Sequence, residues 1–223
     1  MTFSIVARDP QTGALGIATA TAGPMVGALV PHGRSGLGAA ATQAMTNPYL
    51  AIDTLALLES QGAEVALQTA LARDSGASQR QIIVVDAHGM AAGWTGADCF
   101  PYAGHLTAAG VAVAGNMLAG PAVLDDMLAG YQGDHPSGFA ARLLRALQAG
   151  AAAGGDSRGL GSAALRVFTT QAYPDLDLRI DASAEPMAAL EQLFALAISG
   201  PYAEFFAQAP RRGAGGEWHK LNR

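Results

Sequence analysis

Apolar and polar positions follow one another in short blocks from the start of the chain. Phe3 to Ala7 and Leu15 to Ala20 are apolar runs of strand length, and the turn-forming cluster Asp9-Pro10-Gln11-Thr12-Gly13 lies between them. The pattern predicts an opening β-hairpin. Gly36 to Gln43 predicts a third strand, rich in small residues that let another layer approach closely. The period then changes. Tyr49, Ile52, Leu55 and Leu58 recur at helical spacing within Tyr49 to Gln61, as do Ala63, Leu67, Ala70 and Leu71 within Ala63 to Ala72. These two helices are expected to cover the sheet that contains the hairpin.

Gln81 to Val85 and Met90 to Trp94, joined through Asp86-Ala87-His88-Gly89, predict a second hairpin, and Val111 to Ala114 a further strand. Helices are expected over Val123 to Gly130, opened by Pro121, and over Phe139 to Gln148, after the breakers Gly133 to Gly138. Strands at Ala163 to Thr169 and Leu176 to Ile180 follow, then a helix from about Glu185 to Ile198 with Ser183 as its candidate cap. Grouped strands alternating with grouped helices argue against a doubly wound parallel sheet. Strands apolar on both faces instead imply two sheets stacked on each other with helices outside, an α+β arrangement in four layers. Residues 1–200 are expected to form one domain, and 201–223 a C-terminal helix and tail with a mobile end.

Composition narrows the function classes. The 223 residues carry 13 Lys plus Arg against 18 Asp plus Glu, a net charge of −5, so there is no basic surface to match a phosphate backbone. Nucleic acid is not an expected partner. Half of the residues are hydrophobic and only 14% are charged, which points to a globular chain with shared apolar surface and to homo-oligomerisation. Two uncharged stretches, Pro10 to Gly33 and Cys99 to Leu124, are broken by Gly, Pro, Thr and His and are expected to be buried strands and loops rather than membrane spans. The lone Cys99 cannot form an internal disulfide, and the first residues lack a basic region followed by an apolar core, so a reducing, cytoplasmic location is expected.

Common catalytic signatures do not apply. The only lysine is Lys220, so no Walker loop exists. The five histidines show no spacing that places two on one helical face, and no metal or organic cofactor is expected. Gly155-Asp156-Ser157-Arg158-Gly159 matches the nucleophile-elbow spacing but lies between a helix end and a strand, the wrong setting for that turn. Thr2 offers different chemistry. Removal of Met1 before this small residue would leave a threonine with a free α-amine at the head of a strand. Such an amine titrates near ~8 and can take the proton of its own hydroxyl, so one residue would supply nucleophile and base. Ser4, two residues on, shares the same strand face.

The runs Thr2 to Asp9, Gly38 to Ala44, Ala103-Gly104-His105, Gly115 to Gly120, Gly154 to Gly159 and Asp177 to Asp181 together resemble the family named domain of unknown function 1028, within the N-terminal nucleophile (Ntn) hydrolase superfamily. The resemblance spans nearly the whole chain. It implies a four-layer αββα sandwich and an amide-bond hydrolase acting on a small linear or cyclic amide through Thr2, with Ser4 as the alternative nucleophile after further trimming. Many relatives place a lysine near the position of Thr21-Ala22-Gly23, so the α-amine is the expected base here. Asn116 resembles a side-chain oxyanion donor; a turn asparagine is the alternative. Gln43, at the end of a buried strand, and His105, in a Gly-His loop, are candidates for substrate contact. Arg158 with Asp156 could grip a carboxylate, or simply pair with each other. Arg179 and Asp181 are expected to form a structural ion pair. The rival readings are a non-catalytic ligand-binding or scaffold protein with the same fold, and a hydrolase of peptidoglycan-derived fragments.

Overall fold

The computed structural model describes residues 2–133 and 138–213, and the backbone of 218–219. β1 (Thr2–Arg8) and β2 (Leu15–Thr21) form the expected hairpin; a single turn, α1 (Val26–Leu29), leads to β3 (Pro31–Arg34) and β4 (Gly38–Ala44). Helices α2 (Pro48–Leu57) and α3 (Ala63–Leu71) precede β5 (Arg80–Asp86), β6 (Ala91–Thr95), β7 (Gly104–Ala108) and β8 (Val111–Asn116). Then come α4 (Ala122–Gln132), α5 (Gly138–Ala152), β9 (Ser162–Phe168), β10 (Leu176–Ile180), α6 (Pro186–Ala197), α7 (Gly200–Ala207) and a short ribbon of β11 (Arg211–Arg212) and β12 (Trp218–His219).

The result is a mixed α/β fold with antiparallel sheets. One sheet has the order β10-β9-β2-β1-β8-β7 and the other β3-β4-β5-β6. β1 is therefore an interior strand, with β2 on one side and β8 on the other; Phe3 pairs with Ala20 and Gly115, and Thr2 with Asn116. Three apolar clusters hold the elements together. Phe3, Ile5 and Ala7 pack with Met127, Leu143, Leu147 and Phe194 of α4, α5 and α6. Val6, Leu15, Ile17, Ala39, Ala41, Ile83 and Phe168 fill the space between the two sheets. Ala40, Ile82 and Val84 pack under Leu50, Leu55 and Leu67 of α2 and α3.

Local chemistry accounts for the elements. The α2 N-terminus is capped by the Asn47 side chain, which accepts from the Tyr49 N–H, with Pro48 pre-set for the first turn. α5 buries Leu143, Leu144, Leu147 and Gly150, a stripe one helical period apart; cutting Leu143 or Leu147 to Ala would cost about 2–5 kcal/mol. Ser183 accepts from the Glu185 N–H just ahead of α6.

Two expectations need correction, and several elements lie beyond the sequence reading. α2 and α3 cover the four-stranded sheet, while α4 and α5 cover the sheet that holds the hairpin; in α2 the buried face is Leu50, Ala51, Thr54 and Leu55, with Tyr49 and Ile52 of the expected stripe exposed. The additional strands β3 and β7 carry few apolar residues, and the helix turn α1, at four residues, is too short to show a helical period. His105 lies on strand β7 rather than in a loop, and Gly93 opposite it has no room for a side chain, since a Cβ there would lie 2.5 Å from His105 Cδ2. The expected C-terminal helix is α7, but Lys220 and most of the end expected to be mobile, together with Met1 and Asp134 to Ser137, lie outside the described residues.

Candidate active site

Strand alternation divides the space between the sheets into a dry end and a polar end. Along β1 the odd residues face the helices, and Val6, Ser4 and Thr2 face the other sheet. Leu15 and Ile17 are followed on the same face of β2 by Thr19 and Thr21; Ala39 and Ala41 on β4 by Gln43; Ala112 and Ala114 on β8 by Asn116. On β5 the face begins with Gln81 and continues with Ile83 and Val85. Five strands thus turn polar at the same end of the layer, where β1 begins.

These side chains form one hydrogen-bonded network. Ser4 Oγ donates within reach of Gln43 Oε1 (2.6 Å) and Thr19 Oγ1 (2.8 Å). Gln43 Nε2 donates to the Thr2 carbonyl (3.1 Å) and to Gln81 Oε1 (2.8 Å), which also accepts from Asn116 Nδ2 (3.0 Å). Gln81 Nε2 reaches Thr95 Oγ1 and the carbonyls of Gly104 and Gly115 at 2.8–2.9 Å. Thr95 Oγ1 lies 2.9 Å from His105 Nδ1. Burial lowers the His105 pKa, and the charge of Glu64 opposes this in part. Thr2 Oγ1 lies 3.3 Å from Thr21 Oγ1.

The structure therefore brings Thr2, Ser4, Gln43 and Asn116 together and places His105 at the far end of the same network. Asp156 and Arg158 stand apart. The Asp156 carboxylate, fully buried, accepts the Ala22 N–H (2.8 Å) and the Arg158 N–H (2.9 Å), and pairs with the Arg158 guanidinium (3.3 Å). Leu118 bridges to Asp156, and the Ala119 N–H donates to the Gly155 carbonyl. This loop clamps the ends of β2 and β8, the two neighbours of Thr2. Arg179 and Asp181 form their expected pair at 2.8 Å.

A cavity of about 370 Å³ opens beside Asn116, bounded by Ala44, Met45, Asp98, Cys99, Phe100 and Met117 among others. Ala44 and Met117 follow directly on Gln43 and Asn116, and both are left-handed, with φ of 68° and 51°. Each such residue costs about 1–2 kcal/mol of strain, which is held here by the Met45 N–H bonded to the Gln79 carbonyl and the Met117 N–H bonded to the Phe100 carbonyl. Burial pushes the Cys99 thiol up, Asp98 adds to this and the Gly96 backbone opposes it, so Cys99 is a poor nucleophile. Among the described residues no group of three His, Cys, Asp or Glu is placed to hold a metal ion, and no helix is long and apolar enough to cross a membrane. A larger cleft of about 740 Å³ lies at the opposite end of β1, around Asp9, Phe139 and Arg142; none of the network residues borders it.

Residues 2–190 match the model of a family of unknown function, DUF1028. The crystal structure of protein SPO2555 from Silicibacter pomeroyi, described under the same family, is 36% identical, covers the whole of this chain and 96% of its own, and superposes with a TM-score of 0.91. Anbu (ancestral beta-subunit) from Yersinia bercovieri aligns over 93% of this chain and 98% of its own at 11% identity and a TM-score of 0.41, a level from which nothing is carried over. No curated protein matches the chain.

Proposed function

We propose that this chain, which belongs to the DUF1028 family, is an amide hydrolase of the N-terminal nucleophile type, built as a four-layer αββα sandwich with Thr2 as its reactive residue. The layering is supported by the three apolar clusters, which separate helices, sheet, sheet and helices in that order. The observation that carries the reading is the position of Thr2: it heads an interior strand, faces the polar end of the inter-sheet layer, pairs with Asn116 and has its carbonyl fixed by Gln43.

Removal of Met1 frees the Thr2 α-amine. The amine takes the hydroxyl proton, Oγ1 bonds to the amide carbon of the substrate, and the carbonyl π pair moves onto oxygen. Asn116 Nδ2 carries two N–H groups; one goes to Gln81 Oε1, and the other is assigned to the developing oxyanion. Collapse breaks the C–N bond, and the α-ammonium returns its proton to the leaving amine. Water then repeats the sequence on the ester and releases Thr2. Thr21, where relatives carry a lysine nearby, adds a hydroxyl within 3.3 Å of the nucleophile, so the α-amine remains the base. Ser4 serves the network: it is entirely buried and its proton is held by Gln43 or Thr19.

Intact mass of the purified protein is expected to show loss of Met1. Thr2→Ala is expected to abolish hydrolysis of an acyl p-nitroanilide with the fold retained by circular dichroism. An active protein that keeps Met1, or a Thr2→Ala variant that turns over normally, overturns the mechanism; retained Met1 without activity is the outcome expected of a non-catalytic binding protein.

A further inference from the structure

The walls of the cavity beside Asn116 specify what kind of molecule fits it. Ala44, Met45, Phe100 and Met117 present methyl, thioether and ring surface, and Met45 and Phe100 are 57% and 65% exposed at its rim. Large apolar side chains left open around a recess are characteristic of a site that takes an apolar ligand, and methionines adapt to its shape. Asp98 is the only acidic residue, among those described, that borders it, and burial pushes the Cys99 thiol up.

Among the described residues, no cation borders the cavity. The Arg158 guanidinium is taken by Asp156. Arg80, behind the Met45 side, bonds to the Met45 carbonyl and, at 3.0 Å, to Asp74. A ligand carboxylate entering this recess would lose its water without gaining a partner and would meet Asp98, both unfavourable. A terminal ammonium would instead find Asp98 at the rim.

We infer that this cavity is a subsite for an apolar acyl chain of an amide, neutral or bearing a terminal ammonium, and that it rejects substrates bearing a carboxylate. The inference rests on the functional reading above for the word substrate, while the ligand preference follows from the walls alone. It opposes the selectivity for acidic amides that Arg158 suggested in the sequence.

Three six-carbon probes separate the possibilities: hexanamide, 6-aminohexanamide and adipamate, titrated into protein carrying ¹³C-methyl methionine. The Met45 and Met117 methyl signals are expected to shift with all ligands that bind. Adipamate is expected to bind at least tenfold more weakly than hexanamide, and 6-aminohexanamide about two- to fivefold more tightly, the size of an exposed ion pair. Asp98→Asn is expected to bring 6-aminohexanamide to the affinity of hexanamide and to narrow the gap to adipamate. Adipamate binding as well as hexanamide, or no shift at Met45 and Met117 with any probe, overturns the inference. The corresponding p-nitroanilides test the chemistry separately. The expected binding order without hydrolysis sinks the catalytic reading and leaves the subsite; hydrolysis with the order reversed does the opposite.

Discussion

Gln43 and Gln81 stand directly opposite each other on β4 and β5, and the side-chain N–H of Gln43 donates to the Gln81 carbonyl at 2.8 Å. Gln81 is thereby the hub of the buried network, with Asn116 on the same oxygen and Thr95, Gly104 and Gly115 on its nitrogen. Gln81→Leu leaves several buried donors and acceptors without partners. The expected loss is about 2–4 kcal/mol, read as a lower denaturant midpoint at unchanged slope. Hydrolysis is expected to fall with it, since Gln43 and Asn116 lose the atom that positions both.

Ser4→Ala separates the two hydroxyls of β1. It removes the donor to Gln43 Oε1, with an expected cost of about 1–3 kcal/mol in stability, yet it is expected to keep hydrolysis within about tenfold of the parent. A complete loss of activity with retained fold would transfer the nucleophile to Ser4.

The lowered pKa of His105 has a definite sign in solution. Above the ordinary value of 6.5 the imidazole is neutral in both the folded and unfolded chain, and stability is independent of it. Below 6.5 the unfolded chain binds the proton first, so stability falls as the pH drops towards the folded pKa. His32, also lowered by burial, with Arg166 adding to this and the Leu29 carbonyl opposing it, contributes in the same direction. Thermal unfolding between pH 7.5 and 5 is expected to show this loss, and His105→Gln to reduce it.

Ala44→Gly relieves a left-handed residue at about 1–2 kcal/mol and gives back about 0.5–1 kcal/mol in unfolded-chain entropy. A small rise in Tm is expected. Ala41→Gly, in the middle of the same strand and buried between the sheets, is expected to lower it; differential scanning calorimetry of the pair checks the strain directly.

Leu196, Ile198, Tyr202, Phe205 and Phe206 are all exposed along the end of α6 and α7, and self-association is the expected consequence. Light scattering at micromolar concentration is expected to give more than the monomer mass, and Phe205→Glu with Phe206→Glu to shift it towards the monomer.

Much of the fold is legible in the sequence because its strands are short apolar runs and its helices repeat at 3.6 residues. β3 and β7 escape this reading. Pro31-His32-Gly33-Arg34 has a single fully buried residue, and in Gly104-His105-Leu106-Thr107-Ala108 only Leu106 and Ala108 pack against the core while Thr107 is exposed, too short a stripe to stand out. The site is legible to the extent that Thr2, Ser4, Gln43 and Asn116 end or begin strands and so meet. Gln81 is hidden by its neighbours, because it reads as the polar edge of an Ile and Val run. Period-two alternation through Ile83 and Val85 is the signal that would have turned it inward. The role of Asp156 is invisible locally, since its partner Ala22 is 134 positions away.

The interior position of β1 sets an order of pairing during synthesis. β2 emerges from the ribosome soon after β1, but β8 follows only once residue 116 has been made. Until then one edge of the first strand is open; afterwards β1 is flanked on both sides. If Thr2 is the nucleophile, protein refolded with Met1 still attached would be well formed yet inert.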